Sequence, residues 1–300
     1  MKRMTFGTAA VLAALMLAAC GGGDPAPSAP PEPMPPGDAA GLEGILERAD
    51  TLLATGAHSR WTLSDGETEI GEAGAEVMAC AGAVCVDSSG MVTTVADLRG
   101  AFAGRGAGRT QTGTRGGFDT AAARSGFEVT QRITGATVMA MPEAMSWGIW
   151  GEHGFGVLVV SAGPLAAQVE GTAFTGRFSS AAAWALGDAA GSNPEGLGSA
   201  VWRGVAEAAS TATFTRLAGT ATVTIADLSR PRVGVEIAVF GHDIGAPGWA
   251  DVPLVNGRFS TGTAGADYLA GDFHGPQHEE AWGVFDTGAY VGAFGAKRTP

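Results

Sequence analysis

The stretch GDFHGPQHEEAWGVF, residues 271–285, sets His274 and His278 four positions apart and follows them with Glu279 and Glu280. Two histidines at that spacing on one helical face, with a glutamate as general base, would hold zinc and activate a water. The order is wrong for that chemistry, because Gln277 precedes His278 and both glutamates come after it. So is the geometry. Gly275 and Pro276 follow His274 directly, and a proline inside a helix removes a hydrogen bond and clashes with the preceding turn. The expectation is a strand, a short helical turn opened by Pro276 and running through Gln277 to Ala281, and a second strand, with no metal.

Other chemistry finds little support. A serine hydrolase needs a Gly-x-Ser-x-Gly elbow, and neither that nor Ser-x-x-Lys occurs. No glycine pattern follows a strand and opens a helix as nucleotide binding requires. The acidic residues are scattered, and a carboxylate pair for glycoside hydrolysis cannot be recognised from spacing. His58, His153, His242, His274 and His278 offer imidazoles that suit haem iron or zinc, against the plainer role of loop and turn residues. Trp147 and Trp150, three apart in a strand, should face opposite sides. The reading is of a chain that is not an enzyme and carries no cofactor.

The elements that would position these residues begin with the N-terminus. Residues 1–19 carry Lys2 and Arg3 and then an apolar run from Ala9 to Leu17, the pattern of a secretory signal too short to span a bilayer. Leu17-Ala18-Ala19-Cys20 resembles the lipobox of bacterial lipoproteins, which implies that Cys20 is acylated and becomes the mature N-terminus. Residues 20–40 are rich in Gly and Pro and have almost nothing to bury, so they read as an extended tether. The expected location is the outer membrane, lipid-anchored and displayed at the surface. Losing Lys2 and Arg3 with the signal moves the formal charge from −12 to −14. Such a body repels nucleic acid and anionic membranes, so lipid is the expected membrane contact.

Export favours disulfides. In EVMACAGAVCVDS, a two-residue loop at Gly82-Ala83 pairs Ala81 with Val84 and sets Cys80 opposite Cys85, within disulfide reach when Gly82 takes positive φ. Closing so short a loop stabilises by about 2 kcal/mol.

Some 260 residues follow the tether, with 48 glycines in the chain and 16% charged residues, a composition of short strands and many turns. LEGILERADTLLA, residues 42–54, has leucines and isoleucine near helical spacing and is the one clear helix expected. Residues 100–117 read as a mobile loop. FEVTQRIT, SWGIWGE and GFGVLVVSAG read as strands, the last two as a hairpin around His153-Gly154. After Asn193-Pro194 the strands become regular: SAVWRGVAEA, AGTATVTIAD, VGVEIAVF, NGRFSTGT, DYLAGDF, AWGVFD and YVGAFGAK. Evenly spaced strands without intervening helices predict an antiparallel sheet or barrel. In VGVEIAVF, Val233, Val235, Ile237 and Val239 share one face, which predicts core.

Over residues 196–300 these segments resemble the β-barrel domain of transferrin-binding protein B and related surface lipoproteins of Gram-negative bacteria. The residues that carry the resemblance are Gly219-Thr220-Ala221, Gly257-Arg258-Phe259-Ser260, GDFHGPQHEEAWGVF and VGAFGAKR. Departures are His274 where that family usually has an aromatic hydroxyl, and Trp282 in place of a glycine. The resemblance implies a mainly β protein with an antiparallel up-and-down barrel of about eight strands in residues 196–300. It also implies a smaller α+β, handle-like region at 41–195, and it puts the two histidines in the turn between two barrel strands. It further implies a surface binding protein that captures a partner, such as an iron or haem carrier protein, for a transport receptor. A structural or adhesive envelope lipoprotein without cargo is the alternative, and an exported enzyme the third. Among loops, Gly241 to Asp251 combines an aromatic anchor, Trp249, with a possible iron ligand, His242, and is the expected contact.

Overall fold

The computed structural model describes residues 42–74, 79–86, 92–94, 108–126, 129–133, 136–140, 143–239, 248–263 and 265–300. Residues 1–41, which include Cys20, and His242 lie outside them.

The C-terminal part is a closed antiparallel barrel of eight strands: β13 (Ala200–Ser210), β14 (Arg216–Ile225), β15 (Arg232–Val239), β16 (Gly248–Val255), β17 (Arg258–Thr261), β18 (Tyr268–His274), β19 (Glu280–Asp286) and β20 (Tyr290–Arg298). Each pairs with the next, and β20 closes onto β13 from Trp202↔Arg298 to Ser210↔Tyr290. The alternation read in β15 is the inward face: Val233, Val235 and Ile237 are buried. With Trp202, Val223, Ile225, Phe259, Phe273, Phe285 and Phe294 they fill the interior, so the barrel is a packed core and not a pore.

Among the described residues, the preceding half holds a nine-stranded antiparallel sheet, a small three-stranded sheet and one short helix. The main path of the large sheet runs β2 (Glu69–Gly74), β1 (Thr51–Ser64), β12 (Thr172–Gly187), β11 (Gly154–Val169), β10 (Glu143–Trp150), β7 (Phe118–Gly126) and β6 (Gly108–Arg115). Beyond β10, the far end of β11 pairs with β9 (Ala136–Ala140), which pairs with β8 (Val129–Ile133). The β11–β12 hairpin turns at Glu170 and Gly171, both at positive φ, as a tight two-residue turn demands. β10 and β11 form the expected hairpin around His153.

Helix α1 spans Leu42–Arg48 and stops six residues before the expected end. Leu52 and Leu53 are neighbours, and in β1 they point to opposite faces, each into a separate core. Pairing along β12 over the whole length of β1 outweighs the helical tendency of so short a segment. Residues 108–115, expected within a mobile loop, are instead β6, held by pairing to β7.

The cysteine hairpin forms as expected. Strands β3 (Ala79–Ala81) and β4 (Val84–Val86) set Cys80 opposite Cys85 in a disulfide, with Gly82 at φ +58° and β5 (Val92–Thr94) beside β4. Cys85 is buried in the same core as Ile45, Leu46, Trp184 and Phe155, on the sheet face that α1 covers.

The other sheet face lies on the outside of the barrel. Small residues line it: Ala183 and Ala185 from β12, with Leu53 and Ile149, meet Val205, Ala270, Trp282, Val284, Val291 and Ala293. β19 is therefore buried along its whole length, inward residues by the barrel core and outward ones by the sheet.

Candidate functional site

Two polar features occupy this sheet–barrel boundary. The first is a buried seam around the HGPQHEE turn. Glu280, 2% exposed, begins β19 and accepts three hydrogen bonds: from the backbone N–H of Glu152 at 2.9 Å, of His153 at 3.1 Å, and from the Trp282 indole N–H at 2.8 Å. A barrel carboxylate thus satisfies partly buried donors of the β10–β11 turn. Close approach here needs glycine: a Cβ on Gly154 would lie 2.3 Å from the Trp282 ring. Beside it, His153 Nδ1 lies 3.1 Å from the Asp188 carboxylate.

His274 ends β18 and points outward from the barrel into this seam. Its ring is fully buried, and neither ring nitrogen has a hydrogen bond of good geometry. Two positions earlier on the same face, Asp272 receives the Arg258 Nε–H at 3.0 Å. His278 goes elsewhere. It takes positive φ in the turn, its ring lies against Ser192, and its carbonyl accepts the Trp202 indole N–H at 2.7 Å. The turn is not helical, because a left-handed residue at 278 interrupts any helical continuation. His278 therefore sits in the turn as expected, whereas His274 is a strand residue in the interface. Among the described residues no group of three or more His, Cys, Asp or Glu is arranged to hold a metal ion.

The seam titrates in two opposing directions. Burial pushes the His274 pKa from 6.5 down to about 3, so the folded ring stays neutral while the unfolded one protonates. Its stabilising contribution is full above pH 6.5 and is lost as pH falls toward 3. Burial pushes the Asp272 carboxyl from 3.8 up to about 6, against the pull of Arg258. Here the folded state keeps a proton that the unfolded state releases, so this contribution is full below 3.8 and is lost as pH rises through 6. Each slope approaches about 1.4 kcal/mol per pH unit, and between about pH 4 and 6 they offset. Asp272→Asn is expected to unmask His274, giving a steeper loss of the urea midpoint between pH 6 and 4 than wild type. Parallel midpoint curves for the two proteins would contradict this assignment.

The second feature is a cleft of about 340 Å³ lined by Arg115, Trp147, Glu207, Arg216 and the β6–β7 residues around Thr114 and Thr120. Glu207, on the outer face of β13 and 1% exposed, takes the Arg216 Nε–H at 2.7 Å and an Arg216 Nη2–H at 2.8 Å, a two-pronged pair. Arg115 reaches across from β6, its Nη2 2.8 Å from the same carboxylate and 2.9 Å from the Ala206 carbonyl oxygen. Arg216 lies over the Trp147 ring at 5.4 Å. Trp147 thus faces the barrel side, and Trp150 faces the α1 side, as the spacing predicted.

The expected contact loop is described only at its end. Trp249 lies on β16, opposite Val235, where a register irregularity between Val233 and Val235 offsets the pairing. It is half-buried against the barrel core, 6.2 Å from the Phe285 ring, and its indole N–H donates to the Asp267 carbonyl at 2.6 Å. The aromatic anchor thus belongs to a strand and not to a loop tip.

The sequence matches no protein-family profile and no curated protein. Solved structures align more broadly. Intact Ap-TbpB, with its N and C lobes, is 14% identical over 81% of this chain and 46% of its own, with a TM-score of 0.30. A transferrin-binding protein B vaccine antigen from Haemophilus parasuis is 12% identical over 80% of this chain and 45% of its own, with a TM-score of 0.32. A protein of unknown function from Nostoc punctiforme is 9% identical over 81% of this chain and 95% of its own, with a TM-score of 0.22. The chain spans less than half the length of the two transferrin-binding protein structures.

Proposed function

We propose that this chain is a lipid-anchored binding protein of the outer membrane, displayed at the cell surface, that captures an iron or haem carrier protein for a transport receptor. One combination supports the reading: a lipobox and extended tether stand in front of a closed barrel whose strands β18 to β20 carry the GDFHGPQHEEAWGVF and VGAFGAKR segments. A barrel that satisfies its own strand edges leaves its loops free to vary in service of a partner. In this reading the segment between β15 and β16 makes contact, with His242 as the iron-directed group and Trp249 holding the base of the loop.

Anchoring and capture are separately testable. Cys20→Ala is expected to abolish palmitate incorporation and release the protein from the membrane fraction; continued labelling would contradict the anchor. Titrating the mature protein with haem and with iron-loaded carriers is expected to give saturable binding that His242→Ala weakens. Trp249→Phe is the companion variant, because it keeps the packing on Phe285 while removing the indole donor. Binding that neither change affects would remove this segment from the site.

A further inference from the structure

We infer that the cleft between sheet and barrel is a binding site for a small oxyanion, of carboxylate or phosphate type. Two guanidinium groups, Arg115 and Arg216, face one carboxylate, Glu207, so the cleft carries an unbalanced positive charge inside a protein of net charge −12. Glu207 is already saturated, its two oxygens meeting three guanidinium nitrogens at 2.7–2.8 Å. The donors left over exceed the acceptors. Arg115 uses only Nη2 and Arg216 only Nε and Nη2, so the Nη1 group of each is left without a hydrogen-bond partner among the described residues, and the buried Arg115 Nε–H has none either. A guanidinium binds oxyanions through adjacent parallel N–H groups, and a second anion beside Arg115 would take up donors that Glu207 cannot reach.

The walls fit such a guest. Thr120, on the same sheet face as Arg115, lines the cleft with a hydroxyl that can donate or accept, and Trp147, with Arg216 over its ring, gives a flat apolar side. The volume of about 340 Å³ falls within the ordinary range for small-molecule pockets. The site is divided between two parts of the chain, since Arg115, Thr114, Thr120 and Trp147 come from the sheet while Glu207 and Arg216 come from the barrel. Glu207 holds both arginines in place, and the guest completes the charge balance. This inference does not depend on the identity of any carrier protein.

Calorimetric titration of the mature protein with inorganic phosphate and, separately, with succinate tests it at fixed ionic strength. At least one is expected to bind saturably at one site, to weaken as salt is raised, and to raise the melting temperature. Tighter phosphate binding would identify a phosphate-type guest, and tighter succinate binding a carboxylate-type one. Arg115→Gln, which leaves the Arg216–Glu207 pair intact, is expected to weaken binding about tenfold or more. Should that variant fold poorly, Arg115→Lys keeps the charge but loses the planar fork, and a several-fold loss with an unchanged melt supports the site. Absence of saturable binding by both anions, or binding unchanged in the folded Arg115 variant, would overturn the inference.

Discussion

Trp282→Ala is expected to lower the free energy of unfolding by about 3–5 kcal/mol, the range for removing a fully buried large aromatic. The indole is 0% exposed and packs edge-on against Phe118 of the sheet with ring centroids 5.4 Å apart. It occupies the space left by glycine on both sides, with Gly154 of the sheet and Gly295 of the barrel each too close to accept a Cβ. Gly154 and Gly295 lie on the backbone of paired strands, so these two flanks cannot collapse into the vacated volume without disturbing the pairing. Trp282→Phe should cost markedly less, since it keeps much of the apolar contact. Urea unfolding followed by circular dichroism reads both. A loss below about 1 kcal/mol in the alanine variant would mean that sheet and barrel are not packed through this ring.

The second large effect is expected at Glu280. Glu280→Ala removes the acceptor for the Glu152 and His153 amides and for the Trp282 indole. Leaving buried donors without partners costs about 1–3 kcal/mol for each that water cannot reach, so a total on the order of 3 kcal/mol is expected. Glu280→Gln retains one good acceptor oxygen and should lie between wild type and alanine. Since Glu280 and Trp282 touch, their losses should not add: the double alanine variant is expected to fall short of the sum of the singles. Hydrogen exchange of the Glu152 and His153 amides gives an independent reading, with faster exchange in the alanine variant. Unchanged protection there would show that these amides do not depend on the carboxylate.

What the residues disclosed in advance depended on how local the cause was. The alternation of Val233, Val235 and Ile237 is a property of one strand, and it specifies an inward face without knowledge of its neighbours. The Cys80–Cys85 hairpin is local in the same sense, because the turn at Gly82 fixes the pairing. The helix was over-extended because Leu52 and Leu53 fit a helical stripe nearly as well as two faces of a strand, and only the long partner β12 decides between them. The second half of β12, SSAAAWALG, lacks the β-branched residues of a typical strand. Its alanines are small because the barrel lies on them, a tertiary reason invisible in the segment.

The cleft was hidden for a similar reason. Arg115, Trp147, Glu207 and Arg216 come from four strands of two sheets, and no spacing along the chain connects them. One signal was present: Glu207 interrupts the small apolar run VAEAA of β13, and a charge so placed must be paired if it is buried. His274 gave the opposite impression. Its spacing to His278 suggested a shared role, whereas the strand–turn boundary between them sends the two rings to different neighbours.

Affinity capture with the mature, intact protein, presented separately with growth medium, host fluid and solubilised cell envelope, tests the proposed capture of a carrier most directly. The expected result is specific recovery of an iron- or haem-carrying protein, reduced when His242 is replaced by alanine. Recovery of only non-iron envelope or matrix components, with no carrier retained from any source, would contradict that account and favour a structural or adhesive role.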